Sequence, residues 1–263
     1  MSKTFIAGEI DALDPGGFGT VTVTKSITID GGSEFASILA SGTNGVNVNI
    51  AASANDPQRR VVLRRLSING TGASGTIGTS TGIRGVSATN FTSLEIENCY
   101  IQNFTTVGVD VNVSSGNPIV SVKDTNVSNT VTGVQLNTAA GGVLTAVLER
   151  TRVDICNTGI NVKDRSFATI RDSVVQGNGG GTGVQVSAPS NSAGVNLENT
   201  VIFNSSTGFA AGTAGTKADL SNTSILNNTT GVSSGGATVN SHGNNRFAGN
   251  SSDGVALNGI GQK

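Results

Sequence analysis

A six-residue pattern of alternating apolar and polar positions recurs along the chain. It has the form apolar–x–(Asn or Asp)–small–x–(Val or Ile), and it occurs at residues 96–101, 122–127, 170–175, 197–202 and 220–225. Alternation with a period of two indicates a β-strand, and the Gly, Asn and Ser residues between the apolar positions mark turns. Each repeat unit therefore predicts about three short strands.

A glycine followed by Val, Ile or Phe marks the same repeat at intervals of 23–26 residues, at Gly82, Gly108, Gly133, Gly159, Gly183, Gly208, Gly231 and Gly254. A unit this short cannot bury an apolar face alone, so successive units must coil and stack, with parallel strands about 4.8 Å apart. Parallel crossovers are right-handed. The sequence predicts an all-β, right-handed, single-stranded parallel β-helix (a β-solenoid) with about 9–10 coils of 23–26 residues and three short strands per coil. A leucine-rich repeat is disfavoured because its dense leucine frame is absent.

Stacking brings equivalent residues of successive coils into vertical columns. Three apolar columns should face inward, and they comprise Val109, Val134, Ile160, Val184, Phe209 and Val232; Ile96, Val122, Leu148, Ile170, Leu197 and Leu220; and Ile101, Val127, Val153, Val175, Ile202 and Ile225. β-Branched residues suit such positions on a pleated surface. Their burial is expected to be the main stabilising contribution.

Charged residues form a further column whose sign alternates from coil to coil, in the order Glu97, Lys123, Glu149, Arg171 and Glu198. In the adjacent column the sign of the charge also alternates over three consecutive coils, at Asp124, Arg150 and Asp172. Exposed ion pairs contribute only about 0–1 kcal/mol each. We therefore expect this inter-coil charge ladder to fix the register, because a slipped coil would bring like charges together.

The two cysteines are expected to be free thiols. Cys99 falls in a column of small residues that otherwise holds Thr and Ser, whereas Cys156 lies two coils away in a different column. Two coils correspond to roughly 9.6 Å, and Cα atoms more than about 7 Å apart cannot be bridged by a disulfide.

The chain is interpreted as one β-helix domain over residues 1–263, with a short N-terminal segment at 1–20. Irregular first coils span 21–80, with loops at 51–60 and 70–80; regular coils span 81–252, and an incomplete coil spans 253–263. Both ends of such a coil expose unpaired strand edges, which predicts end-to-end self-association.

Composition narrows the range of partners. The net charge is −1 with 13% charged residues, so no nucleic-acid partner is expected. No apolar run approaches the roughly 18 residues of a membrane span, so no membrane partner is expected either. The N-terminal residues MSKTFIAGEI contain no signal-peptide core.

The segment LDPGGFGTVTVTKSITIDGG at 13–32, with the repeated TG[VI]…LENT[VI]I…N pattern, resembles bacterial right-handed β-helix repeat proteins of the pectin-lyase-like superfamily. The resemblance implies a bacterial and exported protein, although the compartment itself stays open. Such proteins usually begin with an amphipathic cap. Only KTFIAGEI stands in its place here, which suggests truncation, deletion or engineering.

The superfamily includes polysaccharide lyases and hydrolases, whose reactions require particular groups of residues. Glycoside hydrolysis needs two carboxylates about 5–9.5 Å apart. Asp110, Asp154 and Asp164 are the candidate carboxylates. The coil neighbours expected for Asp110, however, are Arg84 and Gln135, which supply no second carboxylate. Neither the NTD, DD, GHG and RIK series of the hydrolases nor the DPH pattern of the epimerases is present, and no clustered Asp column offers calcium its six to eight oxygen ligands. No catalytic residue, metal site or cofactor is therefore assigned.

Two further features carry candidate chemistry. The sole histidine, His242, follows Ser241 in a turn, and a turn or surface role is favoured over general acid–base catalysis. The densest local charge offers a candidate patch for an anionic ligand, although a solvated face around an insertion is the favoured interpretation; the patch comprises Arg59, Arg60, Arg64, Arg65 and Arg84.

The leading functional hypothesis is a non-catalytic structural or surface-interaction module that recognises a polysaccharide or a protein by one lateral face. One alternative is a carbohydrate-active enzyme of the pectin-lyase-like superfamily, either a lyase or a hydrolase. The other is an engineered or truncated β-helix scaffold.

Overall fold

The computed structural model describes residues 4–33, 36–70, 82–139 and 141–261. These residues form 28 β-strands. The first fourteen are β1 (Gly8–Asp11), β2 (Gly17–Phe18), β3 (Val21–Val23), β4 (Ile27–Asp30), β5 (Ala36–Ala40), β6 (Val46–Asn49), β7 (Arg60–Arg64), β8 (Leu66–Gly70), β9 (Arg84–Asn90), β10 (Ser93–Glu97), β11 (Tyr100–Gln102), β12 (Val107–Val113), β13 (Ile119–Lys123) and β14 (Asn126–Thr138). The others are β15 (Leu144–Glu149), β16 (Arg152–Val162), β17 (Ser166–Arg171), β18 (Val174–Val186), β19 (Ala193–Glu198), β20 (Val201–Phe203), β21 (Thr207–Ala211), β22 (Thr216–Ser221), β23 (Ser224–Leu226), β24 (Thr230–Ser234), β25 (Thr238–Ser241), β26 (Arg246–Ala248), β27 (Ser252–Gly254) and β28 (Asn258–Gly259).

The strands stack as a parallel β-solenoid of about nine turns, which confirms the predicted fold. Wall 1 is an eleven-stranded sheet with one strand per coil, in the order β1-β4-β7-β10-β13-β15-β17-β19-β22-β25-β28. The second sheet contributes two walls. Wall 2 consists of β2, β5, β8, β11, β20, β23, β26 and the first parts of β14, β16 and β18. Wall 3 consists of β3, β6, β9, β12, β21, β24, β27 and the last parts of β14, β16 and β18. Three strands per coil are thus the rule, and in three coils the second and third strands are continuous.

The inward columns lie as predicted. In wall 3, for example, Val109 stacks on Val134, and Val134 stacks on Ile160. Every member of the three apolar columns is at most 1% exposed. Full burial of one such side chain contributes roughly 1.5–3 kcal/mol, so these columns form the core.

The glycine column is shifted at its two ends relative to the sequence interpretation. The glycine in register one coil before Gly108 is Gly85 rather than Gly82, because Val86 pairs with Val109. At the other end, Gly254 pairs with Val232 and so lies in the inward apolar column. Gly82 and Gly254 each precede Ile or Val, and the local sequence does not distinguish such a pair from one that lies in register.

Each wall 1 strand between β7 and β22 ends in a one-residue left-handed turn with φ of 46–52°, at Arg65, Asn98, Asp124, Arg150, Asp172, Asn199 and Asn222. Asn and Asp tolerate this conformation better than other residues with a side chain. At the six turns from Asn98 to Asn222 a buried small residue follows, and where it is Thr or Ser its hydroxyl donates back to a backbone carbonyl, as Thr125 does to Lys123 at 2.8 Å. The polar motif therefore encodes the corner between walls 1 and 2.

Both cysteines are free and buried, as predicted. Cys99 replaces the hydroxyl residue at this corner, and its Sγ lies 3.3 Å from the carbonyl oxygen of Glu97. Cys156 pairs in register with Thr130, in a different column. Burial raises the pKa of the Cys99 thiol to about 12 and also raises that of Cys156.

The expected loop at 51–60 contains no strand until β7 begins at Arg60, apart from an isolated antiparallel bridge between Ser53 and Asp56. The expected loop at 70–80 lies outside the described residues except for residue 70. The strands before and after this loop show that the coil is longer than a regular one, because Val46 pairs directly with Val86 although more than one regular repeat separates them in sequence.

Candidate functional site

The arginine patch is divided between two walls. Arg60 and Arg64 begin and end β7 in wall 1, and Arg59 and Arg65 flank that strand. Arg84 begins β9 in wall 3. The structure therefore brings four of the five side chains to one strand and separates the fifth.

Carboxylates and an amide already pair with these guanidinium groups. Arg60 contacts both carboxylate oxygens of Glu95, at 3.0 and 2.9 Å. Two others converge on Asp30, whose side chain is 2% exposed: Arg64 lies 3.0 Å and Arg65 2.5 Å from its Oδ2. Of the remaining two, Arg59 donates to the side chain of Asn90 at 2.8 Å and Arg84 pairs with Asp110. An anionic ligand at this patch has to compete with these partners.

A cluster of carboxylates in the first coils corrects the expectation that none exists. Oxygens of Glu9, Asp11 and Asp30 lie within 4.8 Å of one another. The cluster forms because β1 pairs with β4 and places Asp11 against Asp30. That coil is shorter than the 23–26 residue repeat used to align the sequence, so the alignment missed it. Arg64 bridges Glu9 and Asp30 at 2.8 and 3.0 Å, so the cluster is part of an ion-pair network.

The charge ladder lies on the outer face of wall 1 with Glu97, Lys123, Glu149, Arg171 and Glu198 in consecutive register. Lys123 Nζ lies 3.7 Å from Glu97, and Arg171 lies 2.7 Å from Glu149. In the neighbouring turn column, Arg150 donates to both oxygens of Asp124, at 2.6 and 3.0 Å. The ladder is thus a chain of contacts between successive coils.

The ladder also shifts the pKa values of its members. The hydrogen bond from Arg150 lowers the pKa of Asp124. Hydrogen bonds from Arg171 and Arg150 lower the pKa of Glu149. The same contacts raise the pKa of Arg150 and of Arg171. The contacts therefore stabilise the charged forms of both the acidic and the basic partners.

Asp110, the carboxylate considered for catalysis, is buried in wall 3. Its neighbour in the preceding coil is Ser87, not Arg84 as the sequence alignment had it, and Gln135 follows. Arg84 nevertheless reaches its carboxylate from three residues away in register, and Gln135 donates to Oδ1 at 2.9 Å. These stacking neighbours bring no second carboxylate to Asp110.

The other residues considered for chemistry lie apart from Asp110. Asp154 is in wall 2 and pairs with Arg152 at 2.5 Å. Asp164 follows wall 3 and accepts a 3.1 Å hydrogen bond from the backbone N–H of Asn191. The single histidine, His242, follows β25, and its backbone N–H donates to Leu220.

A groove that sequence reasoning missed lies on the outer face of wall 1, across β15, β17, β19 and β22. It has a volume of about 380 Å³, and its lining includes Thr145, Phe167, Thr169, Asn196, Lys217 and Asp219. Phe167 is 40% exposed. The signal was present in the sequence, because Phe167 lies between the inward-facing Ser166 and Ala168 and so occupies an outward position.

A second cavity of about 550 Å³ lies at the N-terminal end of the solenoid, where Ile10, Phe18, Val21 and Ile29 are among the lining residues. Leu13, at its rim, is 86% exposed. Apolar side chains are therefore exposed at this end of the described solenoid. End-to-end self-association stays a prediction.

Within the described residues, no helix is long and apolar enough to cross a membrane. No protein-family profile matches the chain, and no curated protein sequence matches it. Among solved structures, the chain is similar to a double mutant of the periplasmic alginate epimerase AlgG, with 11% identity and a TM-score of 0.32 over 97% of this chain and 84% of that chain. The epimerase is likewise a parallel β-helix protein, and at this level of similarity the comparison carries no argument about activity.

Proposed function

We propose that the chain is a rigid, non-catalytic interaction module that binds an extended polysaccharide along one lateral wall. The observation that carries the proposal is the regular spacing of outward side chains in register over many coils. On wall 3 one such column reads Ser87, Asp110, Gln135, Asn161 and Gln185, of which Asp110 is covered by Arg84 and the others are partly exposed. A surface that repeats its hydrogen-bonding groups at about 4.8 Å suits a repetitive polymer.

The chemistry of these columns favours a saccharide over a highly charged partner. Amide and hydroxyl side chains both donate and accept hydrogen bonds, as sugar hydroxyls do. In wall 3, Asn137 donates to the side chain of Asn112 at 2.8 Å, which shows that neighbouring coils align their amides. The arginines near β7 are paired with carboxylates, which favours a partner without high negative charge.

The alternative of a carbohydrate-active enzyme is less well supported, because the carboxylates considered for catalysis are separated and paired. Membership of the pectin-lyase-like superfamily and a bacterial origin stay predictions. Recognition of a protein surface by the same walls also stays an alternative, since amide columns suit backbone groups as well.

Affinity electrophoresis in gels that contain neutral or acidic polysaccharides tests the proposal. We expect retarded migration in at least one gel and no change in the size distribution of that polysaccharide after prolonged incubation. The screen is repeated with and without calcium. Polysaccharide cleavage or epimerisation that disappears in the Arg84→Ala variant would overturn the non-catalytic assignment, and unchanged migration in every gel would overturn polysaccharide binding.

A further inference from the structure

Phe167 is an aromatic side chain on the solvent side of a sheet whose inward positions hold the core. Ser166 and Ala168, its chain neighbours, are buried, whereas Phe167 itself is 40% exposed. It lines the groove of about 380 Å³ described above. Ligand sites typically occupy about 300–1,000 Å³, so this groove is at the small end of that range.

Gly194 makes room for the ring in the following coil. It pairs in register with Phe167, and a Cβ at this glycine would lie 3.0 Å from Cδ1 and 3.3 Å from Cε1 of the ring. Contacts that short force a neighbour to move. The missing side chain therefore lets the ring lie across the next strand, which places a flat apolar surface along the wall.

Hydrogen-bonding groups surround this surface. Within the described part of the chain, the hydroxyls of Thr145 and Thr169 and the amide of Asn196 have no side-chain hydrogen-bond partner. Lys217 lies 3.6 Å from Asp219, so the two charges largely cancel. The groove thus combines an aromatic platform with donors and acceptors and no net charge.

We propose that this groove binds one neutral hexose unit of a polysaccharide, with the sugar ring stacked on Phe167. A pyranose ring presents C–H groups on its face and hydroxyls on its edge. The C–H groups match the negative face of an aromatic ring, and the hydroxyls match groups that donate and accept. Asn196 and Thr169 supply such groups, and Asp219 accepts from a hydroxyl while Lys217 balances its charge.

The charge balance decides between neutral and acidic sugars. A uronate would bring its carboxylate near Asp219, and the only ammonium group lining the groove, that of Lys217, already pairs with this carboxylate. A neutral hexose requires no additional countercharge. This inference rests on the proposed function, because it assigns one sugar-binding position, on wall 1 rather than on the amide columns of wall 3, to a chain that binds a polysaccharide.

Titration calorimetry with the full chain tests the proposal, using neutral glucan, mannan and galactan oligosaccharides alongside a uronate oligosaccharide. We expect the wild type to bind at least one neutral oligosaccharide and Phe167→Ala to bind it about tenfold more weakly or worse, as for an anchor aromatic residue. Gly194→Ala keeps the aromatic ring but displaces it, and should also weaken binding.

Ile119→Ala is the matched control. Ile119 lies in the same outward column two coils earlier, is 58% exposed and does not line the groove. Its loss should leave the affinity unchanged, and all variants should show the wild-type circular dichroism spectrum.

The outcomes separate this inference from the proposed function. If the wild type binds a neutral oligosaccharide with the same affinity as Phe167→Ala and Gly194→Ala, the groove assignment is overturned and the module still binds polysaccharide. Preference for the uronate oligosaccharide would overturn the neutral-hexose assignment. Absence of binding to every saccharide would overturn both proposals.

Discussion

Asn129 lies in register on Asn103, and its side-chain N–H group donates a 2.7 Å hydrogen bond to Oδ1 of Asn103. Both residues form the left-handed turn between walls 2 and 3, with φ of 52° and 64°. In the next coil that turn position is occupied by Ile155, with φ of 53° and an exposed fraction of 52%. A β-branched residue is unfavourable in this conformation.

Ile155→Asn should therefore stabilise the protein. Removing a bulky residue from the left-handed region recovers about 1 kcal/mol, and the new amide can extend the contact between Asn129 and Asn103. Thermal unfolding followed by circular dichroism measures the change. Ile155→Ala controls for loss of the exposed apolar side chain, because alanine retains a Cβ and most of the strain. Equal melting temperatures for the Asn and Ala variants would contradict the explanation.

Lys123→Glu should lower the melting temperature at low salt. It places three negative charges in consecutive register, at Glu97, the substituted position and Glu149. Because these side chains are partly exposed, the expected loss is about 1 kcal/mol. Salt should restore most of it by screening, and Lys123→Gln should lose less. A salt-independent difference between the Glu and Gln variants would argue against a repulsive ladder.

Asp56→Asn should destabilise the protein at neutral pH by about 2 kcal/mol, because a buried charged acceptor is lost. Burial acts to raise the pKa of Asp56, but hydrogen bonds from the hydroxyl and N–H of Ser26 and from the N–H of Arg59 outweigh it, and the pKa is lowered. The hydroxyl contact is 2.5 Å and the Ser26 N–H contact 2.6 Å.

The direction of this shift determines the pH dependence. A lowered folded-state pKa gives stability that is complete above the unfolded carboxyl pKa of about 3.9 and is lost as the pH falls through the folded value. The stabilities of the wild type and Asp56→Asn, measured by urea unfolding, should therefore begin to converge as the pH falls below about 4 and become equal only below the folded-state pKa of Asp56. The exposed-site variant Asp14→Asn should resemble the wild type throughout. A constant difference from neutral to acidic pH would refute the role of the ionised carboxylate.

Gly133→Ala should destabilise the solenoid by about 2 kcal/mol through overpacking. An added Cβ would lie 2.6 Å from the carbonyl oxygen of Gly159 and closer still to Cγ1 of Val153. Gly19→Ala is the control, because an added Cβ there meets nothing within 4 Å. Chemical denaturation measures both variants, and similar stability for the two would show that the glycine column tolerates a side chain.

Both thiols should resist modification in the native state. Cys99 and Cys156 are buried, and burial raises the pKa of Cys99 to about 12, so little thiolate forms at mildly alkaline pH. A chromogenic disulfide reagent should react with neither cysteine in the native protein and with both in denaturant. Fast labelling of the native protein would contradict the burial of these residues.

The columns of the regular coils were accessible from sequence, because each residue's inward or outward position follows from its place in a period-two strand. The repeat length and this alternation were enough to predict that Val109 pairs with Val134 and that Glu97 pairs with Lys123. The corner motif at Asn98 and Cys99 was visible as a pattern, although its left-handed conformation was not foreseen.

The first coils could not be aligned in this way. Asp30 pairs with Asp11 in the coil before it and with Arg64 in the coil after it, at separations outside the regular repeat. Loops of arbitrary length add no periodic signal, so only the paired strands reveal which carboxylates meet.

By itself, the sequence determined that this chain is a stack of short strands, that its apolar columns face inward and that its cysteines stay unpaired. Those properties depend on local alternation repeated at a nearly constant interval. The tertiary structure decided which charges cluster around Asp30 and that Phe167 lines a groove with Asn196 and Asp219. These arrangements depend on the relative positions of separate coils, which are set by backbone pairing in three dimensions rather than by any one segment.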